Sequence, residues 1–494
     1  MNYQSTRNKS LKVSSAQAIL QGISVEGGLF VPESFPDISR DLQSLCGMSY
    51  PERAEFILGK YLTDFSNDEL NDCVNNAYTA EKFGSRNIAP LKSLDGNTHV
   101  LELWHGPTCA FKDMALQLLP HLLVASARKA ADGKSIVILV ATSGDTGKAA
   151  LEGFKNVENT KILVFYPQHG VSGIQKLQMN TQEGSNVAVC GIDGNFDDAQ
   201  TAVKQIFTDK ALRDELAREN MMFSSANSIN WGRLVPQIVY YVSVYCELVN
   251  QKKIVVGDSI NIVVPTGNFG NILAAYYAKK MGLPVKKFIC ASNKNKVLTD
   301  FINTGVYDRE REFFATSSPS MDILISSNLE RLLFDLSDCD DNAVRELMGK
   351  LSGDGCYTVN DDIKSKLNEM FFGGFCDENG TKETIKTYFE RHGYLCDTHT
   401  AVALNAYEQY IALTGDKTPS VIASTASPYK FADSVLSALS GEVSGDEFKN
   451  IETLFELSNL PVPVQISALD SMNIRFDNNC TKDTIKDFVC GNIK

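Results

Sequence analysis

Ser135-Ile136-Val137-Ile138-Leu139-Val140-Ala141-Thr142-Ser143-Gly144-Asp145-Thr146-Gly147 decides the fold class. Its first part is almost continuously apolar, as a strand covered on both faces should be. A small, polar, glycine-bearing turn follows, and then a helical pattern. The same rhythm runs outward in both directions. Further candidate strands are 99–103, 162–166, 186–190, 260–264, 287–291 and 420–424, with helical stretches between most of them. Alternation of this kind predicts an α/β protein with parallel strands and helices on the sheet faces. Residues 1–90 read as a mainly helical N-terminal domain, with helices around 16–20, 51–62 and 67–80 and an extended piece after Gly27-Gly28. Residues 328–390 are charged and polar, with helical patches at 343–351 and 384–391, and read as a helical insertion. That leaves 91–327 and 391–494 as the α/β core.

Composition narrows the function. A chain of 494 residues with 43% hydrophobic and 22% charged residues has room for more than one domain and a sizeable core. A net charge of −13 argues against a nucleic-acid scaffold, whose phosphate contacts need clustered Lys and Arg. The 12 cysteines form no CxxC pair, so they read as reduced, mostly buried thiols rather than a disulfide framework or a zinc site. The opening MNYQSTRNKSLKVSS has no apolar signal core, and no apolar run approaches the ~18 residues of a membrane span. Cytoplasm is the expected location, and no metal is expected.

Two glycine-bearing turns follow strong strands: Thr142 to Gly147, and Pro265-Thr266-Gly267-Asn268-Phe269-Gly270-Asn271. Strand ends in an open α/β sheet converge on a ligand crevice, and the next helix start offers free N–H groups to an anion. Neither turn is a GxGxxG or a GxxxxGK[ST] loop, and each is also compatible with an ordinary strand-to-helix connection. Lys112 lies amid apolar neighbours in Ala110-Phe111-Lys112-Asp113-Met114-Ala115-Leu116. A buried ammonium tends to lose its proton and become nucleophilic. The alternative is a surface lysine at a helix start with its head in solvent.

The segment Glu102-Leu103-Trp104-His105-Gly106-Pro107-Thr108-Cys109-Ala110-Phe111-Lys112-Asp113 through Gln117 resembles the cofactor-lysine motif of threonine synthases. Five other blocks resemble that family in the same order along the chain: Ser5-Thr6-Arg7 with Gly27-Gly28-Leu29, Thr142 to Gly147, Ser225 to Arg233, Pro265 to Asn271, and Ala423 to Phe431. Cys109 departs from the usual Leu and Asn8 from the usual Gly, and neither change removes a reactive group.

The resemblance implies a tryptophan synthase β-like fold of two open α/β subdomains and the cofactor pyridoxal 5'-phosphate. Lys112 would be the Schiff-base lysine and the acid/base. Gly267, Asn268, Phe269 and Asn271 would hold the cofactor phosphate, Thr425 its ring nitrogen, and Asp145 would face its phenolic oxygen. Ser143 and Thr146 would bind the substrate carboxylate, and Ser228, Asn230 and Arg233 the substrate phosphate. His105 would shape the site or simply pack, and Asp113 would be a helix-start charge. The implied reaction converts O-phospho-L-homoserine and water to L-threonine and phosphate. A phospho-lyase releasing 2-oxobutyrate would share most of these residues.

Overall fold

The computed structural model describes every residue except Ser143, His169, Gly170, Asn195 and Lys494. The N-terminal region contains β1 (Tyr3–Ser5), β2 (Asn8–Val13) and β3 (Phe30–Pro32), an antiparallel sheet of order β2-β1-β3. The body follows with β4 (Leu91–Ser93), β5 (Thr98–Glu102), β6 (Ser135–Ala141), β7 (Thr160–Pro167), β8 (Val187–Ile192), β9 (Met221–Ser224), β10 (Ile260–Pro265) and β11 (Val285–Ser292). Next come β12 (Val306–Asp308), β13 (Cys356–Thr358), β14 (Phe371–Phe375), β15 (Ser420–Ser424) and β16 (Asn479–Cys480).

Two sheets carry the body. One has order β14-β11-β10-β15-β5-β4, parallel except at its β4 edge; the other is parallel, β16-β8-β7-β6-β9. All the core strands expected from sequence are present, within a few residues of their expected ends. The apolar runs explain this: β6, β10 and β15 are buried along almost their whole length, as parallel strands flanked by helices must be. The helix Trp231–Asn250 is apolar nearly all round and passes through the core. Its neighbour Tyr50–Tyr61 opens with a reciprocal cap, Ser49 to the Glu52 N–H and Glu52 back to the Ser49 N–H.

The mainly helical N-terminal region also carries short strands: β1 is fully buried, with the Tyr3 hydroxyl donating to Tyr61 O at 3.0 Å and its ring 5.2 Å from Trp231. A three-residue strand is too short to show alternation. One expectation needs correction: 328–390 is not helical throughout, because β14 pairs in parallel with β11 and extends the larger sheet. Its sequence, Phe-Phe-Gly-Gly-Phe, has two glycines where strand formers are usual. They are there for packing: a Cβ on Gly373 would lie 3.0 Å from Thr299 Cα, and one on Gly374 3.0 Å from Ala406 Cβ. Among the described residues no helix is long and apolar enough to cross a membrane.

Candidate active site

Because most of the strands run parallel, their C-terminal ends deliver loops to one crevice. After β5 comes the turn ending at Lys112; after β15 comes Thr425; the two meet where Thr425 O accepts the Phe111 N–H at 2.8 Å and Ala110 bridges Ala426. Asp113 closes this turn rather than lining the crevice. It is fully buried and accepts from the Thr108 N–H at 2.8 Å and the Thr108 hydroxyl at 2.7 Å. Burial pushes its carboxyl up to about 6. His105 stacks on Trp104 at 4.2 Å and pairs with Glu102 at 2.8 Å.

Lys112 Nζ is 3.0 Å from Ser320 Oγ and 3.5 Å from Asp145 Oδ2. Its side chain is 11% exposed, and burial holds its pKa below the ordinary lysine range. The amine thus sits between the two sheets, since Asp145 begins the helix Asp145–Phe154 that follows β6. Gly144, just before it, has φ +136°, a conformation closed to side chains. Thr142 Oγ1 accepts the N–H groups of Gly144 at 3.0 Å and Gly147 at 2.9 Å, so those two donors are spent inside the loop. Thr146 is half-buried, and Ser143 lies outside the described residues.

After β10, Phe269 adopts the left-handed conformation and starts the helix Gly270–Lys280 while its ring packs 6.0 Å from Phe371. Asn271 Oδ1 accepts from the hydroxyls of Tyr240, at 2.9 Å, and Tyr241, which leaves Nδ2 buried with no partner. A Cβ on Gly267 would lie 2.6 Å from Ser320 O, so only glycine lets these two segments approach.

Arg233 is 4% exposed, on the first turn of Trp231–Asn250. Its Nη1 donates to Ala226 O at 2.9 Å, its buried Nε has no partner, and among the described residues no carboxylate pairs with it. Burial pushes its pKa down to about 10. Ser228 lies in the loop just before this helix. Asn230 corrects the sequence expectation: its Oδ1 caps the helix through Gly232 N, and its Nδ2 donates to Ile19 O and Ser225 O. Fully buried, it has no hydrogen left for a ligand.

Three residues went unassigned from sequence. Ser320 covers Lys112, with its N–H donating to His399 Nε2 at 3.2 Å. Lys430 Nζ lies 2.6 Å from Asp145 Oδ1. Asn328 Nδ2 donates to Asn268 O at 3.0 Å and Ser228 O at 3.3 Å, while Arg331 holds its Oδ1. The loop 318–328 thus buttresses the turns of Asn268 and Ser228.

A family model described as threonine synthase N terminus matches residues 2–78, one described as pyridoxal-phosphate dependent enzyme matches 87–359, and one described as threonine synthase, C-terminal, matches 400–489. Threonine synthase of Saccharomyces cerevisiae is 37% identical over 490 residues, covering 92% of this chain and 93% of that protein. The chain belongs to the threonine synthase family. Threonine synthase-like 1 of Homo sapiens is 43% identical over 436 residues, covering 86% of this chain and 58% of that protein. The chain therefore spans about three fifths of the length of these longer members of the threonine synthase family. The crystal structure of PLP-bound threonine synthase from Brucella melitensis superposes with a TM-score of 0.88 at 35% identity, covering 100% of this chain and 99% of that one.

Pyridoxal phosphate is the cofactor of this threonine synthase family fold, and the residues present fit it. The crevice offers a buried amine for its aldehyde, a glycine-bearing helix start and the unpartnered Asn271 Nδ2 for its phosphate, and Thr425 on the opposite strand end.

Proposed function

We propose that this chain converts O-phospho-L-homoserine and water to L-threonine and phosphate by γ-elimination and β-replacement. The observation that carries this reading is Arg233, a buried guanidinium whose Nε has no partner and which pairs with no carboxylate among the described residues. A buried charge without a partner is costly and invites an anion. A planar guanidinium suits a phosphate. An amino-acid substrate that carries a phosphate would reach both groups at once.

When bound, pyridoxal phosphate supplies the electron sink that acidifies the substrate's carbons. Lys112, free once the substrate amine has taken its place, moves protons at Cα and Cγ from one face. Arg233 and the Ser228 loop hold the phosphate as it leaves. The N–H groups of Asp145 and Thr146, together with Ser143, receive the carboxylate. Thr425 would offer a hydroxyl to the ring nitrogen, which suits replacement at Cβ better than transamination. Ser320 Oγ, 3.0 Å from the Lys112 amine, would hold that amine in place. The same reading puts the enzyme in the cytoplasm, with a small-molecule substrate and no nucleic-acid or membrane partner.

Incubating the purified chain with pyridoxal phosphate and O-phosphohomoserine tests it. Threonine and phosphate in equal amounts are expected. Release of 2-oxobutyrate and ammonia instead would make the chain a phospho-lyase, and no turnover would overturn both readings.

A further inference from the structure

Two lysines share one carboxylate in this crevice. Lys430 Nζ is 2.6 Å from Asp145 Oδ1, whereas Lys112 Nζ is 3.5 Å from Oδ2. The Lys430 side chain is 0% exposed and Asp145's is 4% exposed. Lys430 also donates to Thr108 O at 3.0 Å, and Gln175 Nε2 donates to Asp145 Oδ1 at 3.1 Å. Asp145 is thus ringed by donors and stays ionised, held well below the usual carboxylate range despite its burial, chiefly by Lys430 and then by Lys112.

A single carboxylate balances a single ammonium. With both amines protonated and Arg233 nearby, the crevice would hold excess positive charge out of water, which is expensive. The closer ammonium keeps the pairing, and the farther amine gives up its proton. We propose that Lys430 is a positioning residue that occupies the Asp145 carboxylate and so leaves Lys112 neutral and nucleophilic before any cofactor arrives. This rests on the reading of Lys112 as the residue that joins the cofactor. In that step a C=N bond forms between Lys112 Nζ and the aldehyde carbon, and the aldehyde oxygen leaves as water.

The charged and titratable groups facing Lys112 are Asp145, Lys430 and Arg233, each from a different element. Removing Lys430 alone would hand the whole carboxylate to Lys112 and raise its pKa. Removing both Lys430 and Asp145 would lower it again. The test uses apoenzyme and free pyridoxal phosphate. The rate of attachment to Lys112 is measured against pH by borohydride trapping and peptide mass spectrometry.

In Lys430→Met the midpoint of the profile should move up by about 1–3 pH units. Lys430→Arg, which keeps the charge, should stay near the parent, and Lys430→Met/Asp145→Asn should return to it or fall below. Coincident profiles for Lys430→Met and the parent would overturn the proposal, as would an equal shift in Lys430→Arg. If Lys430→Met does not fold, Lys430→Gln decides. An upward shift of the midpoint supports the proposal; a profile coincident with the parent's means that Lys430 does not govern Lys112, and the proposal fails. Absence of attachment at Lys112 in the parent would sink the proposed function instead, which separates the two failures.

Discussion

Lys112 and Arg233 meet the same problem, a cation with little water, and resolve it differently. Lys112 can shed its proton; Arg233 cannot and waits for an anion. Lys112→Ala should abolish covalent cofactor attachment and lower turnover by about 10²–10⁴-fold, read from the visible absorption band and from kcat. Arg233→Met should raise KM for O-phosphohomoserine by about 10–100-fold, the worth of a charged hydrogen bond of about 1.5–3 kcal/mol. It should not lower the apoenzyme melting temperature, because a buried charge without a counter-ion contributes nothing to stability when it is lost. At this scale the sequence was readable wherever chemistry and motif coincided. Lys430 stands in Pro428-Tyr429-Lys430-Phe431, a lone lysine among apolar neighbours, and the logic that singled out Lys112 applies to it equally. What hid it was the absence of any local sign of Asp145, which lies far away in sequence. Asn230 misled for the reverse reason: its amide looks free in the sequence and is consumed by Ser225, in the same loop, and by Ile19, which only the fold brings near.

Among the elements, the meeting of the two short helical segments that carry Lys112's turn and Asp145 matters most. A Cβ on Gly153, near the end of Asp145–Phe154, would lie 2.0 Å from Leu116 O in the helix Asp113–Leu116. Backbone cannot yield as a side chain tip can. Gly153→Ala should therefore cost about 1–3 kcal/mol of stability, seen as a lower denaturant midpoint. It should also slow cofactor attachment, because it displaces the turn that carries Lys112 from its place in the crevice. The long apolar strands were legible because burial on both faces writes itself into composition. β9 and β14 were not: β9 mixes Met, Phe and Ser in four residues, and β14 spends two of five positions on glycine so that helices can lie close.

For the molecule as a whole, acid weakens the fold through the buried His99 and the half-buried His121. His99 and His121 are held down to about 4 by burial, while an unfolded histidine takes up a proton near ~6.5. Between those values the unfolded chain binds more protons than the folded one, so stability falls as pH drops through this window. Asp113 acts oppositely, since its folded carboxyl binds a proton near 6, before the unfolded one does, but it is one group against two. The melting temperature should decline as pH drops from 6.5 toward 4, and His121→Gln should flatten the decline. The overall architecture was readable because alternation of strand and helix leaves few topologies open. How far apart its loops stand was not, and there Asn328 has a consequence. One carboxamide grips the loop of Asn268 and the loop of Ser228 together, so the two behave as the fixed jaws of a caliper. With the cofactor's phosphate in one jaw and the substrate's in the other, the span between them would be fixed, and a three-carbon phosphoamino acid would fall short of the second. O-phosphoserine should be a far poorer substrate than O-phosphohomoserine, and Asn328→Ala should narrow the ratio of their kcat/KM values as the gauge loosens.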